Sequence, residues 1–347
     1  MKKTIINIFL ILGLIIFCTY LLSLKTVTDV SKKQEENIEE NVKKEEKMEK
    51  NNYVSYNGNL KVEKTNLLNQ YGETIQLKGI SSHGIQWYSN YINEANLKTL
   101  KNEWGSNVFR IAMYTDEGGY LTNPNLEEKV IEYVDMIIKQ DMYVIIDWHI
   151  LKDNNPMTNI DKAKVFFERM AKKYKNTPNV IFEICNEPNG NITWENDIKP
   201  YAEEIIKIIR KYSNNVIIVG TGNWSQDVDK AADNPLNYSN IVYACHFYAG
   251  THTAWLRDKV NYALNKGIPI FVSEWGTSSA DGNGGIYLEE SKKWIDFLDE
   301  KNISWINWSL TDKNESSALL LTGTPNNDIS DKYLTNSGKF VKEQMKK

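Results

Sequence analysis

The chain has 347 residues, of which 41% are apolar, and a net charge of −4 at pH 7. That is enough apolar material for one large core or two ordinary ones. Lysines and arginines are dispersed, which excludes the basic field a nucleic-acid partner needs. The three cysteines lack CxxC spacing, so neither a disulfide framework nor a zinc site is indicated, and Cys185 and Cys245 read as small core residues.

Met1-Lys2-Lys3 precedes an uncharged apolar run from Thr4 to Leu24. Its length matches the roughly 20 residues that span a bilayer, and no small-x-small cleavage site follows it. A cleaved signal and an uncleaved anchor both fit residues 1–24, and either exports the rest of the chain. A lipoprotein reading of Cys18 is disfavoured by the bulk of Phe17. Residues 25–52 are a charged linker, whose 31–50 stretch alternates both signs with only Ile38, Val42 and Met48 apolar. With no core-facing stripe it reads as a solvated stalk rather than a coiled coil.

The globular part begins near Tyr53. Weak alternation around Asn57-Gly58 and Tyr71-Gly72 predicts short hairpin strands within 53–74, plugging one end of a larger fold. From Ile75 a rhythm sets in. Strand-like runs fall at 75–83, 107–114, 143–149, 180–186, 216–221, 241–248, 269–275 and 303–309. Helical stretches fall at 94–104, 125–140, 161–175, 198–212, 254–266 and 286–301, with a short one near 226–233 and a last one at 336–346. Alternation of this kind predicts an α/β chain folded as a (β/α)8 TIM barrel, with 53–347 as one domain. A doubly wound sheet would carry a Gly-rich phosphate loop after an early strand, and none appears.

In such a barrel the reactive groups belong where strands run into βα loops. Two buried runs end there in carboxylates: Ile181-Phe182-Glu183-Ile184-Cys185-Asn186-Glu187-Pro188 and Ile270-Phe271-Val272-Ser273-Glu274-Trp275-Gly276. One Glu at a strand end is usually a capping residue; two of the same design point to paired-carboxylate chemistry. The other strand ends add His83 and Trp87, Arg110 and Tyr114, Asp147 and His149, Trp224, His246 and Tyr248, and Trp308 with Lys313. Three of the four histidines sit at strand ends and His252 is close behind. Asp147, His149 and His246 are conceivable metal ligands, but no HExxH or paired-His spacing supports a metal site. A Ser or Cys triad lacks its GxSxG elbow. Aromatic residues make up 11% of the chain, with 10 Trp and 19 Tyr, a surplus suited to stacking on sugar-like ligands.

Seven ordered segments, 79–88, 109–115, 144–149, 183–190, 243–252, 272–278 and 306–313, closely resemble the endoglucanases of glycoside hydrolase family 5, and more narrowly its bacterial cellulase branch. The resemblance runs from about residue 53 to the end. It implies a (β/α)8 barrel that hydrolyses β-1,4-glucan with retention of configuration, without cofactor or metal, as a monomer. By motif match, Glu187 takes the place of the general acid/base and Glu274 that of the nucleophile. Arg110 and Tyr248 would orient Glu274, Asn186 would bond the sugar 2-hydroxyl, and His246 would sit beside Glu187. His149, His83 and Lys313 would contact hydroxyls, while Trp87, Tyr114, Trp224 and Trp308 would stack on pyranose faces. Mannanase, xylanase or mixed-linkage glucanase activity, and glycan binding without cleavage, are the alternatives. The protein is expected outside the cytoplasm, secreted or tethered through residues 4–24.

Overall fold

The computed structural model describes residue 32 and residues 53–347. The expectations for residues 1–24, and for the linker apart from Lys32, lie outside the described residues.

Eight parallel strands close into a barrel. They are β3 (Lys78–Ser82), β4 (Val108–Tyr114), β5 (Tyr143–His149), β6 (Val180–Glu183), β7 (Ile217–Val219), β8 (Ile241–Tyr248), β9 (Ile270–Gly276) and β10 (Trp305–Leu310), in chain order around the ring with β10 against β3. Six of the expected runs contain their strands, while β9 and β10 each extend one residue past theirs, to Gly276 and Leu310. The 180–186 run ends its ladder early, at Glu183, because Asn186-Glu187-Pro188 turns away into the loop. Strands alternate faces with period two. On β4, Phe109, Ile111 and Met113 join the layer beneath the helices, whereas Val108 joins the barrel interior with Tyr143, Ile145, Ile181, Ile218 and Phe271. Further along those inward rows the apolar residues give way to Arg110, Asp147, His149 and Glu183, all buried.

The outer layer follows from helical spacing. In the helix Leu126–Lys139 the buried residues are Leu126, Val130, Tyr133, Val134 and Ile137, one stripe three to four residues apart. The helix from Glu94 is capped by the Asn93 side chain and passes into a wider turn, Leu100–Trp104, which Gly105 ends in the left-handed region. The predicted final helix is Asn336–Met345, capped by Thr335.

The hairpin differs from expectation in its turn. Strands β1 (Lys61–Glu63) and β2 (Asn66–Leu68) pair antiparallel about Lys64-Thr65. Asn57-Gly58 instead ends a short helix, Val54–Asn57, and Tyr71-Gly72 forms a turn after β2. Val54, Leu60, Leu67, Ile75 and Leu77 pack with the inward apolar residues, so this segment does stopper the N-terminal end of the barrel.

One irregularity positions the site. Along β8 and β9 the pairs are Ala244 with Phe271 and then His246 with Glu274; along β10 and β9 they are Trp305 with Val272 and then Asn307 with Trp275. Both neighbours advance two residues while β9 advances three, so β9 carries one extra residue at Ser273-Glu274. Both of these side chains therefore reach the interior network, a result that strict alternation would forbid.

Candidate active site

Arg110 stands at the centre of the C-terminal mouth and is fully buried. Its Nε donates to Glu183 Oε2 at 2.6 Å, Nη1 to Glu274 Oε2 at 3.1 Å and to Ser81 Oγ at 3.3 Å, and Nη2 to Asn186 Oδ1 at 2.6 Å. Nη2 also lies 3.0 Å from Asp147 Oδ2. One guanidinium fork thus fixes groups from four other strands or their loops. Burial alone would lower its proton affinity, but Asp147, Glu183 and Glu274 raise it, so Arg110 is permanently charged.

The network fixes the tautomers of the surrounding rings. Because Asn186 Oδ1 accepts from Arg110, its Nδ2 is the donor, directed to Ile150 O at 3.1 Å and His149 Nε2 at 3.3 Å. His149 Nε2 must then accept, and its proton sits on Nδ1, donated to Asp147 Oδ2 at 2.6 Å. Burial pushes the Asp147 carboxyl up and Arg110 pulls it down. The donor on Asn186 decides the matter, leaving Asp147 as acceptor. Burial, reinforced by Arg110, holds His149 neutral, with its pKa down to about 3. His83 Nδ1 accepts from the Gly84 N–H at 2.7 Å, so its proton is on Nε2. Burial and then Lys313 hold that ring neutral as well, again at about 3.

The two expected carboxylates have different surroundings. Glu274 accepts from Arg110 on Oε2 and from the Tyr248 hydroxyl on Oε1 at 2.8 Å. Burial and Glu274 itself raise the Tyr248 pKa well above its ordinary value, so the phenol stays a donor. Glu274 thus faces two donors, one of them a permanent cation. Glu187 meets His246 instead, Oε1 to Nδ1 at 2.9 Å. Burial opposes charge on His246, but hydrogen bonds involving Glu183 and Glu187 prevail and raise its pKa to about 9. A Glu187 oxygen, a His246 nitrogen and a Glu274 oxygen lie within 4.8 Å of one another. Among the described residues this trio is also the cluster spaced to hold a metal ion.

These carboxylates face a cleft with two lobes. One, of about 340 Å³, is lined by His83, Trp87, Tyr114, Trp308, Lys313 and Glu315 among others. The second, of about 460 Å³, is bounded by Asn223, Trp224, Gln226, Thr251 and His252. Glu187, Trp224 and Tyr248 belong to both lobes. A polar groove of about 900 Å³ at the hairpin end contains none of these residues.

Aromatic side chains line the walls. Trp87 is 46% and Trp224 44% exposed, offering open faces, whereas Tyr114 and Trp308 are buried against His149 with ring centroids 4.1 and 5.3 Å away. Trp224 rides on three consecutive left-handed residues, Asn223, Trp224 and Ser225, each with φ near 55°. Each such residue costs about 1–2 kcal/mol. The turn is tied to the Glu187 segment: Trp224 N donates to Pro188 O at 3.1 Å and Ser225 Oγ to Asn186 O at 2.7 Å. On the opposite wall Lys313 Nζ pairs with Glu315 Oε2 at 2.5 Å and lies 3.4 Å from His83 Nε2.

Every residue singled out in the sequence therefore lies in the cleft or directly behind it. Sequence reasoning missed Glu183, Ser273 and Glu315, and treated Asp147 only as a conceivable metal ligand. Glu183 did leave a signal, a lone carboxylate inside an otherwise apolar buried run.

A family model described as cellulase (glycosyl hydrolase family 5) matches residues 68–314. The chain is 59% identical over 295 residues to an endoglucanase of Clostridium saccharobutylicum, covering 84% of this chain and 66% of that protein. It is 52% identical over 295 residues to endoglucanase N of Pectobacterium atrosepticum, with the same coverage of both. The chain thus spans just under two thirds of the length of these relatives. The catalytic domain of Thermobifida fusca endoglucanase Cel5A, solved in complex with cellotetraose, superposes with a TM-score of 0.82 at 36% identity, covering 85% of this chain and 99% of that one.

Proposed function

Because the chain belongs to glycosyl hydrolase family 5, we propose that it is a retaining endo-β-1,4-glucanase with Glu187 as general acid/base and Glu274 as nucleophile. The observation that carries this reading is the contrast between two neighbouring carboxylates. Glu274 is held by a cation and a phenol, Glu187 by a histidine, and their oxygens lie within 4.8 Å. Retaining hydrolysis uses carboxyls about 5–5.5 Å apart, whereas inversion needs roughly 6.5–9.5 Å to admit a water.

In the first step the ionised Glu274 attacks the anomeric carbon while Glu187 gives its proton to the glycosidic oxygen. The bond to the leaving alcohol breaks and a glycosyl ester forms on Glu274. In the second step Glu187, now a carboxylate, takes a proton from water. The water oxygen attacks the same carbon and Glu274 departs. Asn186, oriented by Arg110, would bond the 2-hydroxyl, a contact that strengthens in the oxocarbenium-like transition state. Neutral His83 and Lys313 would bond hydroxyls, and neutral His149 would hold the Asn186 amide in place through Nε2, with Trp87, Tyr114, Trp224 and Trp308 flanking the sugar rings. A β-1,4-glucan is the substrate class, supported by the cellotetraose complex of the Thermobifida domain. The reading carries with it an exported monomer, either secreted or tethered through residues 4–24.

The test is reducing-end release by the full chain on carboxymethyl cellulose, mixed-linkage glucan, mannan and xylan, with Glu274→Ala as control. Cleavage of the glucans with a silent control is expected. Cleavage confined to mannan or xylan would move the substrate, and equal activity of the control would remove Glu274 from its role.

A further inference from the structure

We propose that Glu183 is a positioning residue whose single buried carboxylate supports both catalytic groups at once: it orients the arginine that holds Glu274 and anchors the histidine that holds Glu187. The inference rests on the roles proposed above for those two glutamates.

Glu183 is fully buried at the end of β6 and uses both oxygens. Oε2 accepts from Arg110 Nε at 2.6 Å, the edge of the fork opposite the nitrogen that reaches Glu274. Oε1 accepts from Ser273 Oγ at 2.6 Å and lies 3.8 Å from His246 Nε2. Ser273 has one proton, donated to Glu183, so at its 2.9 Å contact with His246 Nε2 it is the acceptor and the ring donates. His246 Nδ1, facing a Glu187 oxygen, donates at its other end. A continuous path therefore runs from Glu183 through Ser273 and His246 to Glu187, and a second runs through Arg110 to Glu274. The β9 bulge is what allows Ser273 and Glu274, adjacent in sequence, to serve one path each.

The charged groups around His246 are Glu183, Glu187 and Glu274, with Asp147 beside Arg110 and the neutral rings of His149 and His252. Of the anions, Glu187 changes charge during turnover and Glu274 is esterified midway. Glu183 touches no substrate and, held low at about 2 against burial by Arg110 and His246, keeps its charge throughout. A constant anion is what a ring needs if it is to remain a double donor while its other neighbours cycle.

The experiment compares wild type, Glu183→Gln and Ser273→Ala as full chains, by 15N NMR of the histidine rings against pH and by kcat and KM against pH on a soluble glucan. The chain has only four histidines. In wild type one ring should stay doubly protonated to about pH 9. In Glu183→Gln that titration, and the alkaline limb of kcat with it, should move down by about one to three units, with KM little changed. Ser273→Ala cuts only the histidine path and should reproduce the titration shift even if Glu183→Gln does not fold. A ring titration unmoved in Ser273→Ala, or in a folded Glu183→Gln, overturns the proposal. Because the titration needs no turnover, a wild type inactive on glucans would refute the glucanase reading while the ring titration still tests the coupling.

Discussion

At the residue scale, what separates two chemically identical glutamates is their contacts. Glu274 receives two donors, a guanidinium and a phenol, which hold a nucleophile's oxygens in place; Glu187 shares a hydrogen bond with a histidine, which suits a group that must give and recover a proton. Glu274→Ala should therefore lower kcat on glucan by roughly 10³ or more, with a thermal midpoint near that of wild type by differential scanning calorimetry. Glu187→Ala should lose about 10²–10⁴ on polymer but far less on an aryl cellobioside with a good leaving group, which needs little acid assistance. Equal losses on both substrates would argue against the acid role. Arg110 is a different case. Arg110→Ala would leave Asp147, Glu183 and Glu274 facing one another without a buried cation, and should cost about 3–5 kcal/mol in urea unfolding.

At the element scale, strand ends and the groups they present were legible because each buried run breaks abruptly into polar or turn-forming residues, as at Asn186-Glu187-Pro188. The β9 bulge was not. Ile270 to Gly276 reads as an ordinary buried strand, and nothing in it marks which residue is the extra one; that follows from the registers of β8 and β10 on either side. The hairpin turn escaped for a related reason, since Lys64-Thr65 lacks the Asn-Gly chemistry favoured in two-residue turns, while Asn57-Gly58 has it and does another job. The left-handed Trp224 turn is likewise set by contacts from elsewhere. Gly220, which precedes it, would place a Cβ 2.1 Å from Cys185 O. Gly220→Ala should thus force the Glu187 segment and the Trp224 turn apart, costing about 1–3 kcal/mol in stability and raising KM on polymer. An unchanged KM would show that the turn and the acid are not coupled through this contact.

At the scale of the whole molecule, the barrel was readable from its rhythm, and the site from the ends of its strands. The charge states were not, because they depend on burial and on partners distant in sequence. They set how stability should vary with pH. His83 and His149 are held neutral to about 3 and His252 to about 4, in each case chiefly by burial. When unfolded these rings protonate near 6.5, so the unfolded chain binds more protons and stability falls as pH drops below that value. Glu183, depressed to about 2, adds a further loss between about 4.5 and 2. His246 has the opposite sign: raised to about 9, its contribution is complete below about 6.5 and is lost as pH rises through 9. Thermal unfolding should therefore peak near pH 6.5 and fall on both sides, more steeply in acid, where three rings act against one. A midpoint that stays flat from pH 4 to 9 would contradict these assignments.

The central claim is that Glu274 bonds to the sugar while Glu187 moves the proton, and the direct test is to stop the reaction between its two steps. A 2-deoxy-2-fluoro cellobioside with a good leaving group should form the glycosyl ester and hydrolyse it slowly, because fluorine destabilises the oxocarbenium-like transition state. Peptide mass spectrometry after brief exposure should find one fluorocellobiosyl group, two sugar rings, attached on the peptide containing Glu274. A label on Glu187, or complete turnover with inverted product and no labelled peptide, would contradict the account.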